Sequence, residues 1–121
     1  MVQNEAQLWK YLKKNSPNIR WTRLENTASL GTPDLLAVNK NNTFFTVELK
    51  VTKGNKLSFS PHQIAFHIKH PQNSFILAMQ LVRQELKLYE GNQIELLATR
   101  GLKLDARCEG LANCIGKLEA V

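Results

Sequence analysis

Apolar residues near the start of the chain recur at helical spacing. Leu8, Trp9 and Leu12 share one face of a helix, and the lysines of the segment occupy other faces. Glu5 lies on the same face as the apolar residues. We therefore predict an amphipathic helix from about Gln3 to Lys14 that carries an acidic residue on its apolar stripe.

Five later segments have the residue types of strands, and turn-forming residues separate them. Leu35–Val38 is a short, continuously apolar run, as expected for a strand that is covered on both faces. Asn39–Asn42 is predicted to be a hairpin turn, and Asn26–Pro33 has the small residues of a loop. The predicted strands are Ile19–Glu25, Asp34–Val38, Thr43–Val51, Ser74–Val82 and Gln84–Tyr89.

Two further helices have recognisable starts. Ser60 is a suitable N-cap, a proline occupies the first helical position, and Gln63 follows the cap by three residues, as in a capping box. We predict a helix from this point to about His70. Asn92–Glu95 has a second capping signature, and Gly101 is expected to end the helix that it opens.

The C-terminal segment has an apolar stripe at helical spacing, formed by Leu111, Cys114, Ile115 and Leu118. This stripe has to pack on the rest of the chain or on another subunit, and the sequence leaves both open. The earlier elements follow the order α-β-β-β-α-β-β-α, which predicts an α/β fold with a mixed central sheet flanked by helices. No linker or repeat interrupts the chain, so residues 1–121 are expected to form one domain.

The composition is that of a globular protein. Hydrophobic residues make up 43% and charged residues 21% of the chain, and no segment approaches the ~20 apolar residues of a membrane span. The first residues lack the features of a secretory signal, so we expect a cytoplasmic protein, in the host cytoplasm if a phage encodes it, with no membrane partner. In a reducing compartment, Cys108 and Cys114 are expected to remain thiols rather than form a disulfide or a zinc site.

The formal net charge is +6, from 16 basic and 10 acidic residues. A basic excess favours binding to polyanions through counterion release, which makes nucleic acid the first partner to consider. Many small proteins are basic for solubility alone, so charge does not decide between the two. The decision has to come from the acidic residues.

The predicted strand Thr43–Val51 carries the most informative pattern. Its apolar residues alternate with a second set, which is Phe44, Thr46, Glu48 and Lys50. Glu48 and Lys50 therefore project from the same face, about 6.6 Å apart along the strand. Asp34 begins the neighbouring strand of the hairpin and is expected within cross-strand reach of Glu48.

Two carboxylates with open coordination positions suit Mg²⁺, which prefers oxygen ligands and retains waters. The main-chain carbonyl of Leu49, between Glu48 and Lys50, is a further candidate ligand. A metal held here can activate water against a phosphodiester, and the Lys50 ammonium can orient that water and stabilise charge on the phosphate. The alternative is a solvated strand face on which these side chains only pair with their neighbours.

Several motifs in order resemble the PD-(D/E)XK nuclease superfamily, closest to its small VRR-NUC and Holliday-junction-resolvase-like members. Pro33–Asp34 matches the Pro-Asp of the motif, and Glu48–Lys50 matches its Glu-x-Lys. Gln63 matches the glutamine of the next helix, and Glu5 resembles the acid of the first helix. The resemblance extends from Glu5 to about Val82.

This resemblance implies a restriction-endonuclease-like αβββαβ core and a DNA endonuclease that depends on Mg²⁺, with Mn²⁺ as a substitute. It implies hydrolysis of phosphodiester bonds, selectivity for branched or junction DNA, and a homodimer. Asp34, Glu48 and the Leu49 carbonyl would bind the metal, and Lys50 would be the catalytic lysine. Gln63 would position Lys50 or the substrate, and Glu5 would reach a second metal through water.

Alternatives remain for the outer residues. Gln63 can serve only as the capping partner of Ser60, and Glu5 only as a favourable acid at a helix start. Three histidines of the second helix region, His62, His67 and His70, are expected at the surface or as occasional phosphate contacts. The residues expected to contact the DNA backbone, unless they are merely solvated, are Lys53, Lys56, Lys69, Arg20 and Arg23.

Two other functions compete with a nuclease. The first is a non-catalytic nucleic-acid-binding module that keeps the basic surface and lacks cleavage activity. The second is an interaction protein that uses the C-terminal stripe as its binding face. Binding of DNA without metal-dependent cleavage would favour the first, and binding of neither DNA nor divalent metal would favour the second.

Overall fold

The computed structural model describes residues 1–24 and 31–121. The helices are α1 (Glu5–Lys14), α2 (Pro61–Lys69), α3 (Ile94–Arg100) and α4 (Leu111–Ala120). The strands are β1 (Arg20–Arg23), β2 (Leu35–Val38), β3 (Phe44–Thr52), β4 (Ser74–Gln80), β5 (Glu85–Glu90) and β6 (Cys108–Glu109). Short 3-10 helices at Gly91–Gln93 and Gly101–Lys103 precede and follow α3.

The six strands form one sheet in the order β1-β2-β3-β4-β5-β6. Strands β3 and β4 are parallel, and all other neighbours are antiparallel. A parallel pair needs a crossover between its strands, and the segment containing α2 supplies it. The prediction of a mixed sheet flanked by helices is confirmed.

Helices cover both faces of this sheet and enclose two apolar cores. One core lies under α1 and α4 and includes Leu8, Leu12, Phe45, Val47, Leu49, Leu77, Leu88, Cys114, Ile115 and Leu118. The other lies under α2 and α3 and includes Leu57, Ile76, Ala78, Tyr89, Ile94, Leu97, Leu102 and Leu104. Because the sheet is sandwiched, β3 sends one set of side chains into the first core and leaves the other set facing α2.

The C-terminal stripe packs within the chain. Cys114, Ile115 and Leu118 are buried in the first core, and Leu111 is partly buried against it. The side-chain amide of Asn39 donates hydrogen bonds to the carbonyls of Leu118 and Val121, both at 3.0 Å. The intramolecular alternative is therefore confirmed. Cys108 and Cys114 are free thiols.

Most predicted elements are present, with small differences at their ends. The first strand is β1, which ends at Arg23, while Glu25 and the first part of the predicted loop lie outside the described residues. The fourth strand ends at Gln80, earlier than predicted, because the Gln80 side chain accepts a hydrogen bond from the N–H of Arg83 at 2.7 Å and the chain turns there. None of the described helices has the length and apolarity to cross a membrane.

The predicted cap at Asn92 is wrong. A 3-10 helix at Gly91–Gln93 leads directly into α3, and neither Glu90 nor Gln93 makes a side-chain capping hydrogen bond. Gly91 is buried, and a β-carbon there would overlap the His67 ring and the Ser74 carbonyl. The backbone at Gly91 therefore lies directly against α2 and the start of β4. This packing could not be predicted from the sequence, because the contacting residues are distant along the chain.

His67 corrects the expectation that all three histidines are at the surface. Its side chain is fully buried, whereas His62 and His70 are exposed. His67 follows Ile64 by three residues, so it shares the inward face of α2. Neither ring nitrogen has a hydrogen-bond partner among the described residues. Burial, followed by the charge of His70, lowers the pKa of His67 to about 4, so the ring is neutral at physiological pH.

Gly101 ends α3 as predicted, with φ 61° and ψ −148°, a conformation that is essentially restricted to glycine. The N–H of Leu102 donates to the carbonyl of Asn55 at 2.7 Å. A β-carbon on Gly101 would overlap that same carbonyl oxygen. Gly101 thus allows the end of α3 to dock on the loop that follows β3.

Gly101→Ala is expected to lower the free energy of unfolding by about 2–4 kcal/mol, because it adds backbone strain and displaces the Asn55 carbonyl. Gly116→Ala is the matched control. Gly116 lies within α4 with nothing near its β position, so this change should be neutral or stabilise by up to about 1 kcal/mol. Urea unfolding measures both, and equal stability of the two variants would contradict the account.

Candidate active site

Asp34 lies immediately before β2, where the antiparallel ladder with β3 ends at the pair Leu35 and Val47. Beyond that pair, Asp34 contacts β3 through its side chain. Its Oδ2 accepts a hydrogen bond from the N–H of Leu49 at 2.8 Å. The main-chain carbonyl of Asp34 accepts from the N–H of Leu24 at 2.8 Å. Both bonds fix the carboxylate over β3, beside Glu48.

The turn before Asp34 packs on the start of α2. Gly31 has φ +83°, and a β-carbon at this position would overlap the backbone of His62. Pro33 is buried. The turn and the helix start are therefore in contact, which places the residues of α2 next to the carboxylate of Asp34.

Glu48 is the most constrained residue of the group, with 3% of its surface exposed. Its Oε2 accepts a hydrogen bond from Nε2 of Gln63 at 3.3 Å, whereas its buried Oε1 has no donor among the described residues. Burial, then a hydrogen bond with Asp34 and the charge of Asp34, raise the pKa of Glu48 to about 9 against an opposing effect of Lys50. Glu48 therefore keeps a proton at neutral pH unless a cation replaces it.

Lys50 projects on the same side of β3 as Glu48 and meets two groups from the segment of α2. Its Nζ donates a hydrogen bond to Oε1 of Gln63 at 3.2 Å. The same ammonium lies 5.0 Å from the centroid of the Phe59 ring, within the range of a cation–π interaction. The position of the ammonium is thus set by one acceptor and one aromatic face.

Gln63 fills both of the roles that the sequence left open. The capping box is complete, because the N–H of Gln63 donates to Oγ of Ser60 at 3.1 Å and Oε1 of Gln63 accepts from the N–H of Ser60 at 3.0 Å. That same Oε1 also accepts from Lys50, and Nε2 donates to Glu48. All three side-chain contacts agree on one orientation of the carboxamide.

Glu5 is the first residue of α1 and is exposed at the rim of this group. Burial and then the charge of Asp34 raise the pKa of Glu5, while Lys50 lowers it. The charge of Glu5 in turn contributes to the raised pKa of Glu48. Glu5 is therefore an electrostatic neighbour of the two carboxylates.

Phe59 is the residue that the sequence interpretation missed. A signal was available, because an apolar residue just before an N-cap often packs on the fourth residue of the helix as a hydrophobic staple. Here those positions are Phe59 and Ile64, and both pack partly buried against the second core. The staple pattern predicts an inward-facing Phe59, but its contact with Lys50 could be found only from the structure.

The basic residues expected at the DNA are exposed, but they are not gathered at one place. Lys53 and Lys56 lie in the loop after β3, close in sequence to Lys50. Arg23 pairs with Leu35, next to Asp34, whereas Arg20 pairs with Val38 at the far end of β2. Lys69 ends α2, about 9 Å along the helix axis from Gln63.

The chemistry of the donor set fits a magnesium ion. Within residues 1–24 and 31–121, no group of three or more His, Cys, Asp or Glu side chains is arranged to hold a metal. Mg²⁺ typically takes only one or two carboxylates from the protein and completes its shell with water and substrate phosphate. Asp34 and Glu48 supply that number, and Oε1 of Glu48, which has no donor among the described residues, supplies an oxygen that a cation would satisfy.

Comparison with known proteins identifies one matching family and solved structures with a similar fold. No curated protein has a sequence that matches this chain. The structure of Archaeoglobus fulgidus Hjc, a Holliday junction resolvase from an archaeal hyperthermophile, matches with a TM-score of 0.53 and 19% identity over 74% of each chain. A VRR_NUC domain matches with a TM-score of 0.52 and 22% identity over 81% of this chain and 97% of that one.

These two structures show that the chain shares its fold with Hjc and with a VRR_NUC domain. The family model of the archaeal Holliday junction resolvases, Hjc, matches residues 2–120, and together with the fold it confirms the resemblance to PD-(D/E)XK-like nucleases inferred from the sequence. Because that match spans nearly the whole sequence, the chain belongs to the Hjc family of archaeal Holliday junction resolvases.

Proposed function

We propose that this protein is a metal-dependent DNA endonuclease that hydrolyses phosphodiester bonds in branched or junction DNA. The observation that carries the proposal is the placement of Asp34 and Glu48 side by side, with Lys50 held beside them by Gln63. Selectivity for junctions is supported by the family to which the chain belongs.

Asp34 and Glu48 would hold the metal through their carboxylates, with the Leu49 carbonyl as a main-chain ligand and Glu5 as an acid that reaches a second ion through water. When bound, Mg²⁺ or Mn²⁺ supplies Lewis-acid polarisation of the phosphodiester and activation of water. Glu48 loses its proton when the cation binds, because only the carboxylate form is a ligand.

Lys50 would act on the substrate as a charged hydrogen-bond donor. An ammonium has three N–H donors and no acceptor, so its bond to Gln63 leaves donors for the attacking water and for a phosphate oxygen. Gln63 and Phe59 fix its position before the substrate arrives, which avoids reorganisation during the reaction. Gln63 and Asp34 also position the Glu48 carboxylate, through the hydrogen bond that each makes with it.

The nuclease proposal predicts metal-dependent cleavage that requires Lys50. Labelled four-way-junction, linear duplex and single-stranded DNA are incubated with wild type and Lys50→Ala in Mg²⁺, Mn²⁺ and EDTA. We expect products from the junction with either metal, and a loss of about 10²–10³-fold in Lys50→Ala, the usual effect of removing one transition-state donor.

Lys40→Ala is the matched control for that assay, because Lys40 is an exposed lysine in the turn between β2 and β3, at the opposite end of the hairpin from Asp34. It should cleave like the wild type. DNA that stays intact with all three substrates despite tight binding would instead indicate the non-catalytic binding module.

The raised pKa of Glu48 predicts an unusual dependence of stability on pH in metal-free buffer. The folded pKa of about 9 lies above the value of 4.5 for an unperturbed carboxyl. Stability is therefore greatest below pH 4.5 for this group and falls as the pH rises towards 9. Glu48→Gln removes the titration and should stabilise the protein by about 1–3 kcal/mol at the alkaline end, the typical cost of an unsatisfied buried polar group.

Urea unfolding of wild type and Glu48→Gln near the two ends of this pH range measures the effect, with EDTA present. Glu95→Gln, which neutralises an exposed acid on α3, serves as the control and should retain the pH dependence of the wild type. If Glu48→Gln is less stable than wild type at alkaline pH, the buried Glu48 charge does not destabilise the folded protein and the prediction is wrong.

The contact between Phe59 and Lys50 predicts that Phe59→Leu slows the chemical step and leaves DNA binding unchanged. A cation–π contact contributes about 0.5–2 kcal/mol, so the single-turnover cleavage rate should fall about two- to thirtyfold. Phe59→Tyr should restore the rate, because it keeps the aromatic face. Phe44→Leu is the matched control, because Phe44 is an exposed phenylalanine at the start of β3, on the same face of the strand as Lys50. Equal rates for Phe59→Leu and Phe44→Leu would exclude a role for the ring.

A further inference from the structure

A cleft of about 480 Å³ lies between the loop that follows β3 and the end of α3. We call it the basic cleft. The loop contributes Asn55 and Lys56, and α3 and the 3-10 helix after it contribute the remaining residues, which are Ala98, Thr99, Arg100, Gly101 and Lys103. The cleft is separate from Glu48, Lys50 and Gln63, none of which lines it.

The charge around the basic cleft has one sign. Lys56, Arg100 and Lys103 are all exposed, and among the described residues no acidic side chain lines the cleft. Two salt bridges occur within the described part of the chain, Arg83 with Glu85 and Lys87 with Glu109, and neither involves a cation of the cleft. The three cations are therefore available to an anionic partner.

The position of Arg100 has a partial explanation in the fold, since a cation in the last turn of a helix is stabilised by the helix dipole. That explanation does not extend to Lys103, which follows α3, or to Lys56, which belongs to a different part of the chain. The helix dipole therefore does not explain why all three cations line one cleft.

The basic cleft is firmly attached to the strand that carries Glu48 and Lys50. The N–H of Leu102 donates to the carbonyl of Asn55 at 2.7 Å, and Nε2 of Gln80 donates to the carbonyl of Lys53 at 2.7 Å. These bonds hold the loop on the 3-10 helix after α3 and on β4. The cleft and the carboxylate pair thus belong to one connected framework, so that a ligand in one has a defined position relative to the other.

The two sites are close enough for one short stretch of duplex to reach both. Asn55 follows Lys50 by five positions, so their α-carbons are at most about 18 Å apart. This upper limit corresponds to about five steps of 3.4 Å along one strand of DNA. One duplex arm can therefore lie in the cleft while a phosphate a few steps away is at Lys50.

We propose that the basic cleft binds the phosphate backbone of the duplex arm that adjoins the cleavage point. This inference rests on the proposed function and adds a docking site that holds one arm relative to the active site. Lys56, Arg100 and Lys103 would contact phosphates without reading the base sequence. The cleft would then contribute to affinity and to placement of the scissile phosphate, while the carboxylate pair and Lys50 carry the chemistry.

The test compares two variants that each lower the net charge of +6 by two. Arg100→Gln with Lys103→Gln removes charge from the cleft, and Lys14→Gln with Lys40→Gln removes it from exposed positions at the end of α1 and in the turn between β2 and β3. Affinity for a long-armed four-way junction is measured in EDTA over a range of salt concentrations. Each lost phosphate contact should lower the slope of log K against log salt by about 0.9, so the cleft variant should lose about 1.8 and the control much less.

If the double variant does not fold, Thr99→Glu decides, with Thr99→Gln as its neutral control. Thr99 is exposed and lines the cleft, so a negative charge there should repel the arm.

Equal salt slopes for the cleft variant and its control, or equal binding by Thr99→Glu and Thr99→Gln, would overturn the cleft proposal. A changed slope together with wild-type protein that cleaves none of the DNA substrates would keep the cleft as a docking site and reject the nuclease proposal. Binding does not require cleavage, so the two failures remain distinct.

Discussion

The hydrogen bond from the Leu49 amide to Asp34 is the interaction on which the site depends. It fixes the Asp34 carboxylate beside Glu48, which is nearly fully buried. Two acidic groups therefore lie together in a poorly solvated site. Burial, then a hydrogen bond with Asp34 and the charge of Asp34, raise the pKa of Glu48 to about 9, and Oε1 of Glu48 has no donor among the described residues. A proton on Glu48 removes the cost of a buried charge beside Asp34 in the free protein, and we propose that a divalent cation replaces this proton during function.

The start of α2 links folding to this chemistry. Gln63 completes a capping box with Ser60, which stabilises the helix start, and the same carboxamide contacts Lys50 and Glu48. Removal of Gln63 would therefore disturb a helix end and the site together. Phe59 has a comparable double position, since it packs next to the second core and faces the Lys50 ammonium. A short segment before and within α2 thus holds the lysine in place without extra structural elements.

The elements that carry the site could be predicted because their signals are local. A period of two along β3 places Glu48 and Lys50 on one face, and the capping box marks the start of α2. What could not be predicted depends on contacts between distant parts of the chain. Strand β6 has two residues, too few to show alternation. In the sequence, His67 cannot be distinguished from an exposed polar residue of a helix, because its burial depends on the packing of Gly91 against its ring. The basic cleft lies between segments that are distant along the chain and that are joined where the carbonyl of Asn55 accepts a hydrogen bond from Leu102.

The most direct test of the carboxylate pair is calorimetric titration of Mg²⁺ or Mn²⁺ into wild type and Glu48→Gln near neutral pH, repeated in two buffers with different ionisation enthalpies. We expect the wild type to bind the cation and to release close to one proton, because the ligand form of Glu48 is ionised whereas its resting form is protonated. Glu48→Gln should bind at least about tenfold more weakly, as second-shell changes alone often cost that much, and should release no proton. Equal affinity of the two proteins, with no proton released by either, would contradict a metal site built on Asp34 and Glu48.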